Sequence, residues 1–215
     1  SSGEKKIPMG EEINVLNFVV GKRILEKKSI NNDIENISNE IINLYKEKEL
    51  LDKKSEYLFT DKTLDNFFFI PLVKKIFPYA KVINCKRNPL SSIVSIIKNN
   101  LGAVSWGHNL ENIFKYFDIY HKKMESFKTT FPNFIYDLRL EEFVNNPDEE
   151  SKKLMRYCEL PWDKKCLEFY KRKDLVSRTA SNIQIRKPIY KNTQDKNLPY
   201  KEFLNKYGKI YSWFK

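Results

Sequence analysis

Short apolar runs that give way to helix-forming patterns recur along this chain, and that alternation limits the fold more than any other feature. "PYAKVINC" (78–85) reads as a strand and "NPLSSIVSIIKNN" (88–100) as a helix. Upstream, "EYLFTDK" (56–62) is a shorter strand-like run that leads into "TLDNFFFIPLVKKIF" (63–77), a helix with an early Pro. Strand, helix, strand, helix at these lengths requires crossover connections, hence a parallel sheet flanked by helices in the α/β class. A helix from about Leu110 to Phe127, the strand "NFIYDLRL" (133–140) and the helix "DEESKKLMRYC" (148–158), opened by "NNP", extend the pattern. Before it, Ile34, Ile37, Ile41 and Leu44 recur at three- and four-residue intervals, the stripe of an amphipathic helix within 30–56. The last forty residues are less regular, and no internal repeat is present. With 215 residues, 41% of them hydrophobic, the whole chain, 1–215, is expected to form one domain.

In such sheets ligands sit at the carboxyl ends of the parallel strands, where helix N-termini also point. Asp61, Lys62, Lys86 and Arg87 each follow an expected strand and should line one edge. Asn88 suits an N-cap and Pro89 a first helical position, because the missing N–H would be unpaired there anyway. The N–H groups of Leu90 and Ser91 would then lack intrahelical acceptors and, with the helix dipole, favour an anion. Arg87 adds a permanent charge able to make two parallel hydrogen bonds to a phosphate, and Ser95 a hydroxyl two turns on. Taken alone, an Arg before a helix is an ordinary solvated residue, and Lys62 an ordinary surface strand end. The surrounding motifs give them weight.

Those motifs run in order. "FTDKTLDNFFFIPLVKKIFPYAKVINCKRNPLSSIVS" (59–95) resembles the core of the sulfotransferases that use 3′-phosphoadenosine 5′-phosphosulfate (PAPS), in particular the bacterial and tyrosylprotein branch. "FIYDLRLEEFVNNPDEESKKLMRYCELPWDKKCLEFY" (134–170) is similar to a family segment with "YE-L" after a strand and "LPWD" after a helix. "RTASNIQIRKPIYKNT" (178–193) resembles the loop that covers the nucleotide. The likeness runs from about Ser2 to Tyr200.

It implies a sulfotransferase fold of the P-loop nucleoside-triphosphate-hydrolase type, with PAPS as co-substrate and no metal. The sulfuryl group would pass to a hydroxyl acceptor: tyrosine, sugar or small molecule. Arg87 and Ser95 would bind the 3′-phosphate, while Ser181, Gln184, Arg186 and Lys196 would contact the donor. Lys62 would touch the transferring group and the bridging oxygen. Sulfuryl transfer, like phosphoryl transfer, mainly rewards neutralising charge on the leaving oxygen, so a Lys is chemically apt. Glu4, in "SGEKKIP", falls where tyrosylprotein sulfotransferases carry a general base; "GEE" (10–12) competes, and either could be an exposed helix-start acid.

Two departures qualify the likeness. The family's glycine-containing phosphosulfate loop, "P-R-S-G-T-T", is absent, so the chain is expected to be N-terminally incomplete, a fragment of a longer protein that keeps the downstream motifs. Leu140 stands in "RLEEF" where many relatives have a nucleotide-contacting Tyr.

Charge and cysteine content set the remaining bounds. Lys and Arg outnumber Asp and Glu by 39 to 28, a net charge of +11, which favours anionic ligands. The lysines are scattered, and no nucleic-acid-binding module interleaves them with aromatics, so a nucleic-acid partner is not expected. Cys85, Cys158 and Cys166 form no metal-ligand spacing with His108 and His121, and their odd number suits a reducing compartment. With no signal-peptide pattern or bilayer-length apolar run, the expectation is a cytoplasmic protein without a membrane span. The rival reading is a non-catalytic domain that keeps the sulfotransferase fold to bind a nucleotide or a partner.

Overall fold

The computed structural model describes residues 7, 12–30, 33–48, 51, 58–101, 104–172, 186–190 and 197–214. Among them are eight α-helices: α1 (Val15–Leu25), α2 (Ile34–Glu47), α3 (Ile70–Ile76), α4 (Pro89–Asn99), α5 (Leu110–Thr130), α6 (Leu140–Asn145), α7 (Pro147–Tyr157) and α8 (Leu198–Gly208). Two strands, β1 (Val82–Lys86) and β2 (Ile135–Arg139), pair in one parallel sheet, which makes this a helix-rich α/β chain. The chain divides into two compact units, Ser1–Val82 with Ser151–Pro188, and Ile83–Glu150 with Ile189–Lys215.

The first unit is built on apolar stripes of short helices. Val15, Leu16 and Val19 of α1 are buried with Ile37, Ile41 and Tyr45 of α2 and Ile76 of α3. The three α2 residues are spaced four apart, so they fall on one face, and each buried Ile contributes roughly 1.5–3 kcal/mol. Arg23, only 6% exposed, ties the end of α1 to the start of α2 through Asp33 at 2.5 Å and Glu40 at 3.4 Å. A charge so buried is tolerable because two carboxylates face it.

In the second unit, Leu90, Ile93 and Val94 of α4 pack with Ile113 and Phe114 of α5 and with Leu204 and Tyr207 of α8. The Phe114 ring stacks on Tyr207 with centroids 4.0 Å apart. Trp213 stacks on Phe117 and on His121 at 5.6 and 4.8 Å, while its indole N–H donates to Asp118 at 3.3 Å. The C-terminal segment thus closes over α5 as an aromatic layer.

Several expectations change. Residues 58–63 join no sheet, although "EYLFTDK" reads as a strand. Their polar groups are committed elsewhere: Asp61 turns back to accept from the Thr63 N–H at 2.8 Å, and the Thr63 hydroxyl accepts from the Asn14 N–H at 3.1 Å. The helix expected over 63–77 is split into a 3₁₀ segment, Leu64–Phe69, and α3, because Pro71 belongs in a first helical turn and not in an interior. α1, α6 and α8 come from stretches without a clear sequence signal.

Candidate functional site

The turn between β1 and α4 carries Arg87. Asn88 caps α4, its side-chain oxygen accepting from the Ser91 N–H at 3.1 Å, while its carbonyl accepts from the Ser92 N–H at 3.0 Å. Ser91's amide is therefore already used, contrary to the sequence expectation. Leu90 alone of those first-turn amides has no acceptor among the described residues. The N–H of Asn88 itself donates to the Glu141 carboxylate at 2.8 Å. Between these anchored groups Arg87 is exposed and has no hydrogen bond or ion pair among the described residues.

Ser95 lies seven residues after Asn88, two turns along the same helical face. With Ser91, Ser92 and Asn99 it forms a polar stripe, while Leu90, Ile93 and Val94 on the other side enter the core. The Ser95 hydroxyl accepts from the Asn99 side chain at 3.1 Å, which leaves its own proton to donate. Arg87 thus precedes the cap of the helix that carries Ser95.

Beside that turn, a polar network joins the sheet to α5, and of its members only Lys86 was singled out in the sequence. Asn84, 8% exposed, donates to Asp137 at 2.8 Å and accepts from the Tyr120 hydroxyl at 2.6 Å. Asp137 also receives Lys86 at 3.4 Å and Lys128. Burial pushes the Asp137 carboxyl up, but the hydrogen bonds from Lys128 and Asn84 outweigh it and hold the group below its usual range. Tyr120 is pushed up to about 12, mainly by burial. In β1 the apolar Ile83 and Cys85 are exposed while Asn84 is buried, and its partner Asp137 lies 53 residues away, so only the folded chain reveals the pairing.

In the first unit, Lys62 is exposed between two pinned neighbours. Asp61 accepts from the buried Tyr45 hydroxyl as well as from the Thr63 amide. Burial, then the Asp61 carboxylate, drives the Tyr45 phenol far above its ordinary value, so it stays a donor. Arg186 is exposed and donates to the Arg172 carbonyl at 2.9 Å. Glu4, Ser181, Gln184 and Lys196 lie outside the described residues, as does Glu11; Glu12 is exposed. Leu140 opens α6 and is 45% exposed, so it is not a core residue.

A cavity of about 290 Å³ in the second unit lies along the C-terminal half of α4, where Val94, Ile97, Lys98, His108, Tyr200 and Phe203 line it. Neither Arg87 nor Ser95 borders it. Among the described residues no helix is long and apolar enough to cross a membrane.

Comparison with known proteins bears on these residues directly. A family model described as "Sulfotransferase family" matches residues 9–164, a span that contains Lys62, Arg87 and Ser95. An "Uncharacterized protein" of Aquifex aeolicus (strain VF5) is 36% identical over 148 residues, covering 67% of this chain. The aligned part is 19% of that protein, so the chain spans about a fifth of its length.

Proposed function

The chain belongs to the sulfotransferase family, and on that premise we propose that it transfers a sulfuryl group from PAPS to a hydroxyl acceptor, whether tyrosine, sugar or small molecule. The observation that carries the reading is Arg87: an exposed cation without a partner among the described residues, set at the capped N-terminus of α4. A guanidinium there can hold a phosphate dianion in two parallel hydrogen bonds. The open Leu90 amide and the Ser95 hydroxyl proton supply donors on the same helix. These groups fit a 3′-phosphate.

In this reading the acceptor oxygen forms a bond to sulfur as the bridging bond to the 5′-phosphate breaks. Lys62 neutralises the charge that develops on the leaving oxygen, which is where electrostatic stabilisation counts most. Glu4 takes the acceptor's proton. Ser181, Gln184, Arg186 and Lys196 contact the donor, and the whole chain, 1–215, forms a P-loop-like sulfotransferase domain. The free cysteines Cys85, Cys158 and Cys166 suit a reducing compartment, and we place the protein in the cytoplasm.

Calorimetric titration of 3′-phosphoadenosine 5′-phosphate into the chain tests the nucleotide half. Saturable binding is expected, lost with adenosine 5′-monophosphate and with Arg87→Ala. Binding indifferent to both the 3′-phosphate and Arg87 would overturn the site assignment. In the full-length protein Lys62→Ala should cut turnover by at least about a hundredfold, as loss of a charge-stabilising donor does elsewhere. Binding of the nucleotide by a full-length protein without any turnover would instead identify a non-catalytic relative.

A further inference from the structure

We propose that Glu141 is a positioning residue for Arg87, holding the turn between β1 and α4 in the shape that presents the guanidinium to the donor's 3′-phosphate. The inference rests on the phosphate-binding role proposed for Arg87.

A helix N-terminus can be closed reciprocally: the N-cap side chain accepts from the amide three residues on, and a Glu or Gln at that third position reaches back to the N-cap's own N–H. In α4 the first half is present, from Asn88 to Ser91 at 3.1 Å. The second half cannot come from Ser91, whose hydroxyl instead accepts from the Asn197 side chain at 3.0 Å. Glu141 supplies it from another element, its carboxylate 2.8 Å from the Asn88 nitrogen. The box is completed in trans.

Asn88 is consequently held at its N–H, its carbonyl and its side chain. On the other side of Arg87, Lys86 lies in β1 and pairs with Asp137 at 3.4 Å. Arg87 is thus a single residue between two anchored ones, and both anchors come from the short segment Asp137–Glu141 on β2 and α6. If Glu141 is removed, the Asn88 amide must turn to water, and one end of the turn loses its tie. The guanidinium then has to be ordered by the ligand itself, at a cost in affinity.

An alternative role for an acid here would be electrostatic, as a negative charge that repels the phosphate. The two roles give opposite results for the amide variant, which keeps the acceptor oxygen but drops the charge. The experiment is titration of 3′-phosphoadenosine 5′-phosphate into the wild-type chain, Glu141→Ala, Glu141→Gln, Arg87→Ala and the Glu141→Ala/Arg87→Ala double variant, with thermal unfolding of each. Glu141→Ala is expected to weaken binding about tenfold, the equivalent of one hydrogen bond. Glu141→Gln should bind within about twofold of wild type, and the double variant no worse than Arg87→Ala alone. Glu141 is exposed, so the unfolding temperatures should stay close together. Glu141→Asp, which withdraws the carboxylate by one methylene, should bind like alanine and replaces it if alanine does not fold.

Wild-type affinity in Glu141→Ala together with loss in Arg87→Ala would overturn the positioning role and leave the nucleotide reading intact. Tighter binding in both Glu141→Ala and Glu141→Gln would also overturn it, in favour of simple repulsion. No binding by the wild-type chain would overturn the Arg87 reading and this inference with it.

Discussion

Asp137 holds three partners, Asn84, Lys86 and Lys128, and its titration gives that network a measurable signature. Because its folded-state pKa is depressed below the ordinary 3.8, the stability it contributes is complete above that value and is lost as pH falls through the depressed one. Asp137→Asn keeps an acceptor for Asn84 but leaves two ammonium groups facing each other without a counter-charge. The side chain is 29% exposed, so solvent screening limits the cost to about 1 kcal/mol at neutral pH. Urea unfolding at pH 7 and near pH 2 should show that difference and then its disappearance. His121 titrates in a separate window. Burial first, and Lys86 and Lys128 in addition, hold its pKa below 6.5 against the opposing pull of Glu125 and Asp118. A lowered histidine pKa means the unfolded chain takes the proton more readily, so this contribution is present above 6.5 and is lost as pH falls through it. The slope from one such group cannot exceed about 1.4 kcal/mol per pH unit. His121→Phe, which can still stack on Trp213, should flatten the stability profile between pH 6.5 and the region where carboxylates titrate. An unchanged profile would mean that the ring is equally protonated in both states.

The helix caps separate folding energy from ligand chemistry. Asn109 caps α5 by accepting from the Glu111 and Asn112 amides at 2.8 and 3.3 Å. Asn109→Ala should cost about 1 kcal/mol of stability, with no change in nucleotide affinity. Asn88→Ala should cost a similar amount and also weaken binding, because the same cap shapes the turn that carries Arg87. Of the two caps only Asn88, before Pro-Leu, was read from the sequence, whereas α4, α5, β1 and β2 all lie close to where periodicity puts them. The failures share one cause, that tertiary contacts decided what local pattern left open. Val15, Val19 and Val20 are β-branched and disfavour a helix in isolation, yet α1 forms because its Val15, Leu16 and Val19 enter the first unit's core. Conversely, Leu58, Phe59 and Thr60 favour a strand. The chain there stays irregular because Asp61 and Thr63 spend their polar groups on a turn, on Tyr45 and on Asn14. Of the candidate site, the cations Lys62 and Arg87 could be read from position after an apolar run. Their supports, Tyr45 for the one and Glu141 for the other, come from elements far off in sequence and carry no local signal.

Across the whole chain a net charge of +11 attracts any anion, so affinity alone cannot tell a nucleotide site from a diffuse basic surface. Ionic strength can. A protein that holds a nucleic acid by its phosphates releases one condensed counterion for nearly every contact. Several contacts therefore cost orders of magnitude in affinity between about 50 and 200 mM salt. A single guanidinium on a single phosphate releases few ions, and its two hydrogen bonds are short-ranged and less sensitive to a Debye length that shrinks toward 8 Å near 0.15 M (approximate values). Over that same range, binding of 3′-phosphoadenosine 5′-phosphate should fall by less than about tenfold, whereas binding of a random oligonucleotide should collapse. Arg87→Ala should abolish the first and hardly touch the second, because one charge among 39 Lys and Arg barely alters a distributed field. If instead the nucleotide shows the steep slope and Arg87→Ala changes both ligands alike, the charge acts as a surface rather than through a site. The chain would then bind polyanions by its lysines, and the α4 N-terminus would be an ordinary capped helix end.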